Sequence, residues 1–409
     1  MATRIVIVGA GPAGVSAVET LRALDRQAQI AMLSAEPYPP YSPPAMADHF
    51  ASGSWAHLWR EADWAEHMQV DYRSGVTVAA VEPGAKRLRL AQNGGVLEYD
   101  RLVIATGSRL YAPLEGAELP GVYNFKSLSA AEALVGKVRR GEARRALIVG
   151  AGFIGMEIAL LLCQLGVQVT QIEMLDQVMP AMLDAPTASF ALQAMRQRGV
   201  EVRLNTRGQA FLGEGRAEGV LLESGEVLQA DLYIAATGVR PNLELLQGSG
   251  IEHRWGITVD EYLRTSAAEV YAAGDVIESR ERLSGEVAVH AIFPNAVEQG
   301  RVVGMNLAGL ERPYEGAERL NSLKHLGVPV LAAGLKQGDE VLQARHNGGQ
   351  RRLYLKDGRL VGYQLVGDIG AAGALRTLLT RQEDVRRFKD RLLQASFGQG
   401  TLAWSALAT

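Results

Sequence analysis

Two short glycine-rich runs are the residues of this chain best suited to chemistry. Gly9-Ala10-Gly11-Pro12-Ala13-Gly14 and Gly150-Ala151-Gly152-Phe153-Ile154-Gly155 share the spacing G-x-G-x-x-G. Each follows a five-residue, largely apolar run and precedes a stretch of helical periodicity, the first through Leu24 and the second through Leu165. In a strand–turn–helix unit the first glycine permits the tight turn, the second lets backbone approach a pyrophosphate, and the third lets the helix pack closely. The helix amino terminus then faces the phosphates. One such run is weak evidence, because strained turns need glycine for structural reasons alone. Two runs in the same context make dinucleotide binding the expected chemistry.

The acidic residue closing the following strand separates the two nicotinamide coenzymes, since a carboxylate accepts from ribose hydroxyls and repels a 2'-phosphate. Glu173 ends the run Val169-Thr170-Gln171-Ile172-Glu173, about 20 residues beyond Gly150. It favours NADH over NADPH; the alternative is a solvated charge at a strand end. In the first unit the strand from Gln29 to Leu33 leads into Ser34-Ala35-Glu36, and Glu36 is placed, a residue or two late, to reach an adenosine ribose.

The elements that must position these residues occur twice as well. After the first unit an alternating run, Arg87 to Leu90, an Asn93-Gly94-Gly95 turn and Val96-Leu97 predict a hairpin. The apolar strand Leu102-Val103-Ile104-Ala105 and Thr106-Gly107 follow. After the second unit, Val220 to Leu222, Ser224-Gly225 and Val227-Leu228 precede Leu232 to Ala236 and Thr237-Gly238. The interval from Gly9 to Gly150 is too long for a solenoid repeat and fits two similar domains. Beyond about residue 320 the pattern changes. Arg352 to Leu355, a Lys356-Asp357-Gly358 turn and Leu360 to Val366 predict an antiparallel hairpin, and Ala371–Leu379 and Val385–Leu393 predict helices, together a small α+β domain.

Composition narrows the field further. The chain has 409 residues, 47% hydrophobic and 21% charged, the profile of an ordinary globular protein of two to four domains. A net charge of -3 argues against nucleic-acid binding as its main business. A single cysteine, Cys163, cannot close an internal disulfide or a thiol relay and is expected in the core of a helix. The seven histidines, His49, His57, His67, His253, His290, His325 and His346, show no metal-ligating spacing, and no nucleophile-elbow sequence occurs, so no metal site is expected. The amino terminus lacks a signal-peptide pattern, which points to the cytoplasm. Ala146 to Val169 is apolar and long enough for a membrane span, but three glycines, Glu157, Gln164 and Gln168 interrupt it, so strand, turn and helix are expected instead.

The run Thr265-Ser-Ala-Ala-Glu-Val-Tyr-Ala-Ala-Gly274-Asp275 resembles the second FAD signature of the two-dinucleotide-binding-domain flavoproteins, and with both glycine runs the resemblance covers essentially the whole chain. It implies an α/β fold of two Rossmann-like domains, the NAD domain inserted in the FAD domain, with a small carboxy-terminal α+β domain. The implied boundaries are 1–112 and 239–320 for FAD, 113–238 for NAD, and 321–409 for the interface domain and tail. By the same resemblance Asp275 holds the ribityl chain; otherwise it would be an N-cap before Val276. Ala236 to Pro241 resembles the turn returning the chain to the FAD domain. Pro294-Asn295-Ala296 resembles the opening of the helix whose dipole faces the flavin pyrimidine. The FAD set is then Gly9, Gly11, Pro12, Ala13, Gly14, Glu36, Ala105, Thr106, Gly107, Gly274, Asp275, Asn295 and Ala296. The NAD set is Gly150, Gly152, Phe153, Ile154, Gly155, Glu173, Thr237 and Gly238.

In this superfamily the electron acceptor decides the activity, and cysteines mark the disulfide reductases, peroxidases and oxidases that use a thiol. Here the matching position in Tyr41-Ser-Pro-Pro-Ala-Met46 is Pro44. What remains resembles NADH-dependent ferredoxin and rubredoxin reductases, the flavin part of assimilatory nitrite reductase, and flavoprotein subunits of anaerobic 2-oxoacid and aldehyde oxidoreductases. The implied function is hydride exchange between NAD(H) and FAD with electrons passed to or from an iron–sulfur protein or subunit. The alternatives are a free-standing NADH oxidase or small-molecule reductase, and a scaffold flavoprotein of a larger redox complex. Glu157 matches the family glutamate near nicotinamide and flavin, while Pro43 and Asp48 stand where relatives carry the cations. Without its lysine partner, Glu157 is expected to lower the flavin potential. A rearrangement of the site by Asp48, His49 or a partner subunit is the alternative. Arg376, Arg381, Arg386, Arg387, Lys389 and Arg391 form a locally basic stretch that either meets an acidic partner or is a solvated face. The tail from Phe397 to Trp404 is either an aromatic anchor or a frayed end.

Overall fold

The computed structural model describes residues 3–55, 57, 59–92, 94–346 and 349–398. The chain divides into two compact units, the first made of Met1–Tyr111, Asn124–Gly136 and Val239–Ala317, the second of Ala112–Tyr123, Lys137–Gly238 and Glu318–Thr409.

In the first unit the apolar runs form a parallel five-stranded sheet in the order Val270–Ala272, Arg101–Ile104, Arg4–Val8, Gln29–Leu33, Val70–Arg73. In the second the order is Val200–Arg203, Gln168–Ile172, Arg145–Val149, Leu232–Ala235, Val122–Tyr123, again all parallel. Even the register repeats: Arg4 stands opposite Gln29, and Arg145 opposite Gln168. Each central strand is anchored by an aspartate. Asp100 accepts the Arg4 backbone N–H at 2.7 Å, and Asp231 accepts those of Arg144 and Arg145 at 2.9 Å. The central strands are apolar and buried apart from their first residue, the near-continuous hydrophobic pattern of parallel sheets. Each unit also carries a three-stranded antiparallel meander, Val78–Glu82, Arg87–Leu90 and Val96–Glu98 in the first, Gly208–Leu212, Gly219–Leu222 and Val227–Leu228 in the second. Both hairpins predicted from sequence lie in these meanders, although Asn93 falls outside the described residues.

Within the first unit the helix Pro12–Leu24 packs on the helix Phe293–Leu307. The approach is close enough that a Cβ on Gly300 would lie 2.2 Å from the Ala13 carbonyl oxygen, and one on Gly304 2.7 Å from the Thr20 Cβ. The segment Asn124–Gly136, expected in the second nucleotide domain, clusters with the first unit. Glu36 supplies a physical reason: its carboxylate accepts the backbone N–H groups of Leu128 (3.3 Å) and Ser129 (3.1 Å) at the start of the helix Leu128–Arg139.

The carboxy-terminal part forms an antiparallel sheet in the order Leu320–Leu323, Val330–Gly334, Arg359–Val366, Gly349–Lys356, Glu340–His346, with the helix Ala372–Arg381 packed on it through Ala374, Leu375, Leu378 and Leu379. It clusters with the second nucleotide segment. Asp184 caps the helix Ala185–Gln197 by accepting from Thr187 N at 3.0 Å, and also accepts from Tyr354 Oη at 2.8 Å and pairs with Arg352 at 2.5 Å. The helix expected over Val385–Leu393 is corrected to a 3-10 turn, Lys389–Leu393. Gln382, at φ +52°, closes the preceding helix, and Val385 N then bonds the Gly358 carbonyl, which lays this stretch along the hairpin instead. The apolar segment beginning at Ala146 is strand, turn and the 12-residue helix Phe153–Gln164, and no helix among the described residues is long and apolar enough to cross a membrane. Cys163 is only half-buried on that helix rather than in the core, and burial pushes its thiol pKa up.

Candidate functional site

The two glycine runs separate the demands that protein packing makes from those it does not. Gly9 has φ +115° and Gly150 φ +103°, a region closed to other L-residues without strain, and a Cβ on them would lie 2.0 Å from the Ala105 oxygen and 2.5 Å from the Ala236 oxygen. Gly14 and Gly155 are equally constrained, by the carbonyl oxygens of Gly9 at 2.0 Å and Gly150 at 2.5 Å. The middle glycines are different. Gly11 and Gly152 have ordinary φ values of −76° and −74°, and a Cβ there would meet nothing within 4 Å. Neither conformation nor packing calls for glycine at these positions, and the open space beside them leaves the backbone free for close approach. Each is the N-cap of a helix with no side-chain cap, Pro12–Leu24 and Phe153–Gln164, whose first-turn N–H groups are left for an anion. Pro12 and Phe153 are the first helical residues.

The first unit gathers four separated segments at its cradle. Gly9 lies against Ala105 and Thr106. Gly274, at φ +85°, lies so close to Ala13 and Ala296 that a Cβ on it would stand 3.1 and 3.8 Å from theirs. Thr106 is locked to Asn242 by reciprocal hydrogen bonds of 2.9 and 2.8 Å, and the Gly107 carbonyl accepts from Asn242 N. Asn295 and Ala296 are buried in the first turn of the helix Phe293–Leu307. Asp275 is no N-cap, since a strand, Ile277–Arg280, follows it. Its Oδ2 accepts from Ser108 Oγ at 2.9 Å and pairs with Lys126 Nζ at 2.7 Å. Lys126, Ser108 and Gln299, whose Oε1 accepts Gly274 N at 2.7 Å, are site residues that no local sequence pattern marked. Glu36 accepts from Tyr41 Oη besides its two backbone donors. A carboxylate has about four acceptor positions, so room for one ribose hydroxyl remains.

In the second unit Glu173 lies directly beneath the glycine turn. It is buried, its Oε2 accepts Ala151 N at 2.8 Å, and its Oε1 accepts Leu175 N at 3.0 Å. This is not the solvated strand-end charge that was its alternative. Thr237 and Gly238 follow Ala236, which packs on Gly150, just as Thr106 and Gly107 follow Ala105. Glu157 lies one turn into the helix Phe153–Gln164. Among the described residues no lysine stands beside it, and His325, in the segment after the strand Leu320–Leu323, places Nδ1 2.6 Å from Glu157 Oε2. The two side chains are 17% and 23% exposed, and Glu157 Oε1 is buried with no hydrogen-bond partner. Among the described residues no cluster of three or more His, Cys, Asp or Glu side chains is arranged to hold a metal ion.

Four of the cations in the basic carboxy-terminal stretch are paired with carboxylates: Arg376 with Glu318, Arg381 with Glu383, Arg386 with Asp384 and Lys389 with Glu340. Phe397 is buried, and Trp404 lies outside the described residues.

Comparison with known proteins agrees with this geometry. The family model described as pyridine nucleotide-disulphide oxidoreductase matches residues 3–300. The chain is 30% identical over 403 residues to the NADH-dependent phenylglyoxylate dehydrogenase subunit epsilon of Aromatoleum evansii, covering 96% of this chain and 94% of that one. It is 28% identical to an NADH oxidase of Methanocaldococcus jannaschii, covering 89% and 87%. Among solved structures, the covalent putidaredoxin reductase–putidaredoxin complex superposes with a TM-score of 0.86 at 25% identity, covering all of this chain and 99% of that one.

Proposed function

Since the chain belongs to the pyridine nucleotide-disulphide oxidoreductase family and is an oxidoreductase that uses FAD and NAD(H), we propose that it passes electrons between NADH and a separate iron–sulfur protein or subunit. Bound FAD supplies the conversion between a two-electron hydride and single electrons. The protein's part is to bind and orient. Gly9, Gly11, Pro12, Ala13 and Gly14 cradle one pyrophosphate, with Ala105, Thr106, Gly107, Gly274, Asp275, Asn295 and Ala296 around the rest of FAD and Glu36 at its ribose. Gly150, Gly152, Phe153, Ile154 and Gly155 cradle the other, with Glu173 selecting NADH and Thr237 and Gly238 flanking it. The FAD domain is residues 1–112 with 239–320, joined by Asn124–Gly136 from within 113–238, the rest of which is the NAD domain, and 321–409 is the interface domain, all in the cytoplasm. With one cysteine in the chain, no internal thiol pair relays the electrons.

The observation that carries this reading is the pair of middle glycines that nothing in the protein requires. Gly152→Ala and Gly11→Ala are therefore expected to leave the melting temperature within about 2 °C of native, since neither adds a clash, while each weakens its own dinucleotide at least tenfold. Calorimetric NADH binding and flavin retention on dialysis check this. If both variants bind as native does, the reading fails. The A. evansii relative is a dehydrogenase subunit and the solved reductase is joined to putidaredoxin, which supports an outside carrier as the acceptor. The M. jannaschii relative favours a second reading, a free-standing oxidase. Anaerobic reduction by NADH followed by mixing with oxidised ferredoxin or with oxygen separates the two: faster reoxidation by ferredoxin supports the first reading and faster reoxidation by oxygen the second.

A further inference from the structure

We infer that Gln171 is a positioning residue for the second glycine turn: with Glu173 it clips the Gly150–Ala151 peptide in the orientation that receives a pyrophosphate, so the turn keeps its shape while no coenzyme is bound. This role rests on the NAD(H) reading of the second unit. Gln171 lies in the strand Gln168–Ile172 and Glu173 directly follows it, so both side chains point to the same face. Gln171 Nε2 donates to the Gly150 carbonyl at 2.9 Å, and Glu173 Oε2 accepts Ala151 N at 2.8 Å. Both ends of one peptide unit are thus held by side chains two residues apart. Between them the Ile172 carbonyl accepts Gly150 N at 2.8 Å. The orientation of that peptide sets how the chain enters the N-cap Gly152 and the helix Phe153–Gln164, and hence where the first-turn N–H groups point.

The first unit differs. Its turn has the same backbone bond, Gly9 N to the Leu33 carbonyl at 2.8 Å, but the register that sets Arg4 opposite Gln29 and Arg145 opposite Gln168 puts Met32 at the place of Gln171 and Ser34 at that of Glu173. Met32 is fully buried and has no N–H to offer, and Ser34 Oγ accepts Glu36 N at 3.2 Å. An apolar side chain therefore satisfies the packing at this place. Gln171 is as fully buried, and its Oε1 has no hydrogen-bond partner. Its Nε2 lies 3.0 Å from where a Cβ on Gly155 would stand, so the third glycine of this run also makes room for the amide. An orphaned buried amide oxygen costs stability, and the bond to the turn is what offsets it. The two ligands supply the reason for the difference. In the proposed reaction FAD stays bound through every turnover whereas NAD(H) enters and leaves, so only the second turn stands empty in each cycle and gains from being ordered beforehand.

The test is calorimetric binding of NAD+ and of ADP-ribose, which has the pyrophosphate and lacks the nicotinamide, to the purified holoenzyme. Gln171→Met, which puts the residue of the first unit into the second, is expected to raise both dissociation constants about fivefold, the size of one hydrogen bond. Its melting temperature is expected within about 2 °C of native, because removal of the orphaned oxygen offsets the lost bond, and its flavin retention on dialysis is expected to be native. A purely structural duty would instead lower the melting temperature and flavin retention and leave the affinity of the folded protein unchanged. Native affinity for ADP-ribose in a folded Gln171→Met overturns the inference, and so does a loss confined to NAD+ or an equal loss of flavin. If Gln171→Met does not fold, crystal structures of the native protein with and without NAD+ decide: the Gly150–Ala151 peptide is expected in one orientation in both, with Gln171 on the Gly150 carbonyl, and a peptide that turns over when NAD+ binds overturns the inference. A native protein that binds neither ligand sinks the NAD(H) reading and this role with it, whereas an unaffected Gln171→Met sinks the role alone.

Discussion

Glu173 is one buried side chain with a structural duty and, in the proposed function, a recognition duty as well. Its two oxygens accept the backbone N–H groups of Ala151 and Leu175, so the carboxylate proposed to select the ribose also holds the glycine turn. Glu173→Ala orphans both donors at a buried site, at roughly 1–3 kcal/mol each. The variant is expected to melt several degrees lower and bind NADH at least tenfold more weakly. Glu173→Gln keeps acceptor oxygen at one of the two positions, so it should recover part of the melting temperature while still binding NADH poorly. Thermal unfolding and calorimetry on the two variants check the split; a full recovery of NADH affinity by glutamine would show that the charge is not used. The glycine runs themselves were legible because their spacing is local, with Gly14 against the Gly9 carbonyl and Gly155 against that of Gly150. Lys126 and His325 were not, since their partners Asp275 and Glu157 lie far along the chain and no local pattern couples them.

At the scale of elements, the crossing of the helices Pro12–Leu24 and Phe293–Leu307 fixes the floor of the first cradle. Gly300 and Gly304 let the backbones meet, and Gln299 on the same helix turns its amide oxygen to Gly274 N. Gly300→Val places carbon against the Ala13 carbonyl, where backbone must shift. The expected cost is about 2–4 kcal/mol of stability, the usual size of an overpacked contact. Flavin retention should fall with it, because Ala13 belongs to the glycine run proposed to cradle FAD. Chemical denaturation and flavin content after gel filtration check this, and an unchanged midpoint would show that the helices can separate freely. The helix at Val385–Leu393 went the other way: apolar spacing favoured it, but the pairing of Val385 N with the Gly358 carbonyl overrode local periodicity.

For the molecule as a whole, the second unit joins a nucleotide-binding sheet to the carboxy-terminal sheet through Asp184. Desolvation raises the Asp184 pKa, but hydrogen bonds from Tyr354 and Thr187 and the charge of Arg352 outweigh it, so its folded pKa lies below the ordinary carboxylate value. A depressed carboxylate adds stability that is fully present above the unfolded pKa, near 4, and is lost as pH falls through the folded pKa. The native protein is therefore expected to lose part of its stability as pH falls below about 4. Asp184→Asn should be less stable at pH 7 and show a flatter dependence across that window. Urea midpoints of the two proteins at pH 7 and pH 3 measure it; parallel curves would remove Asp184 from the account.

The sequence by itself determined the two parallel sheets, their glycine turns and the two hairpins that follow them, because strand period, glycine spacing and turn residues act over a few positions. The tertiary structure alone decided that Asn124–Gly136 belongs with the first unit, that the carboxy-terminal sheet clusters with the second, and that Glu157 has His325 for a partner. Those outcomes depend on which distant side chains meet in the folded chain. Hydrogen bonds and ion pairs between residues so far apart in the chain leave no periodic trace in the order of amino acids.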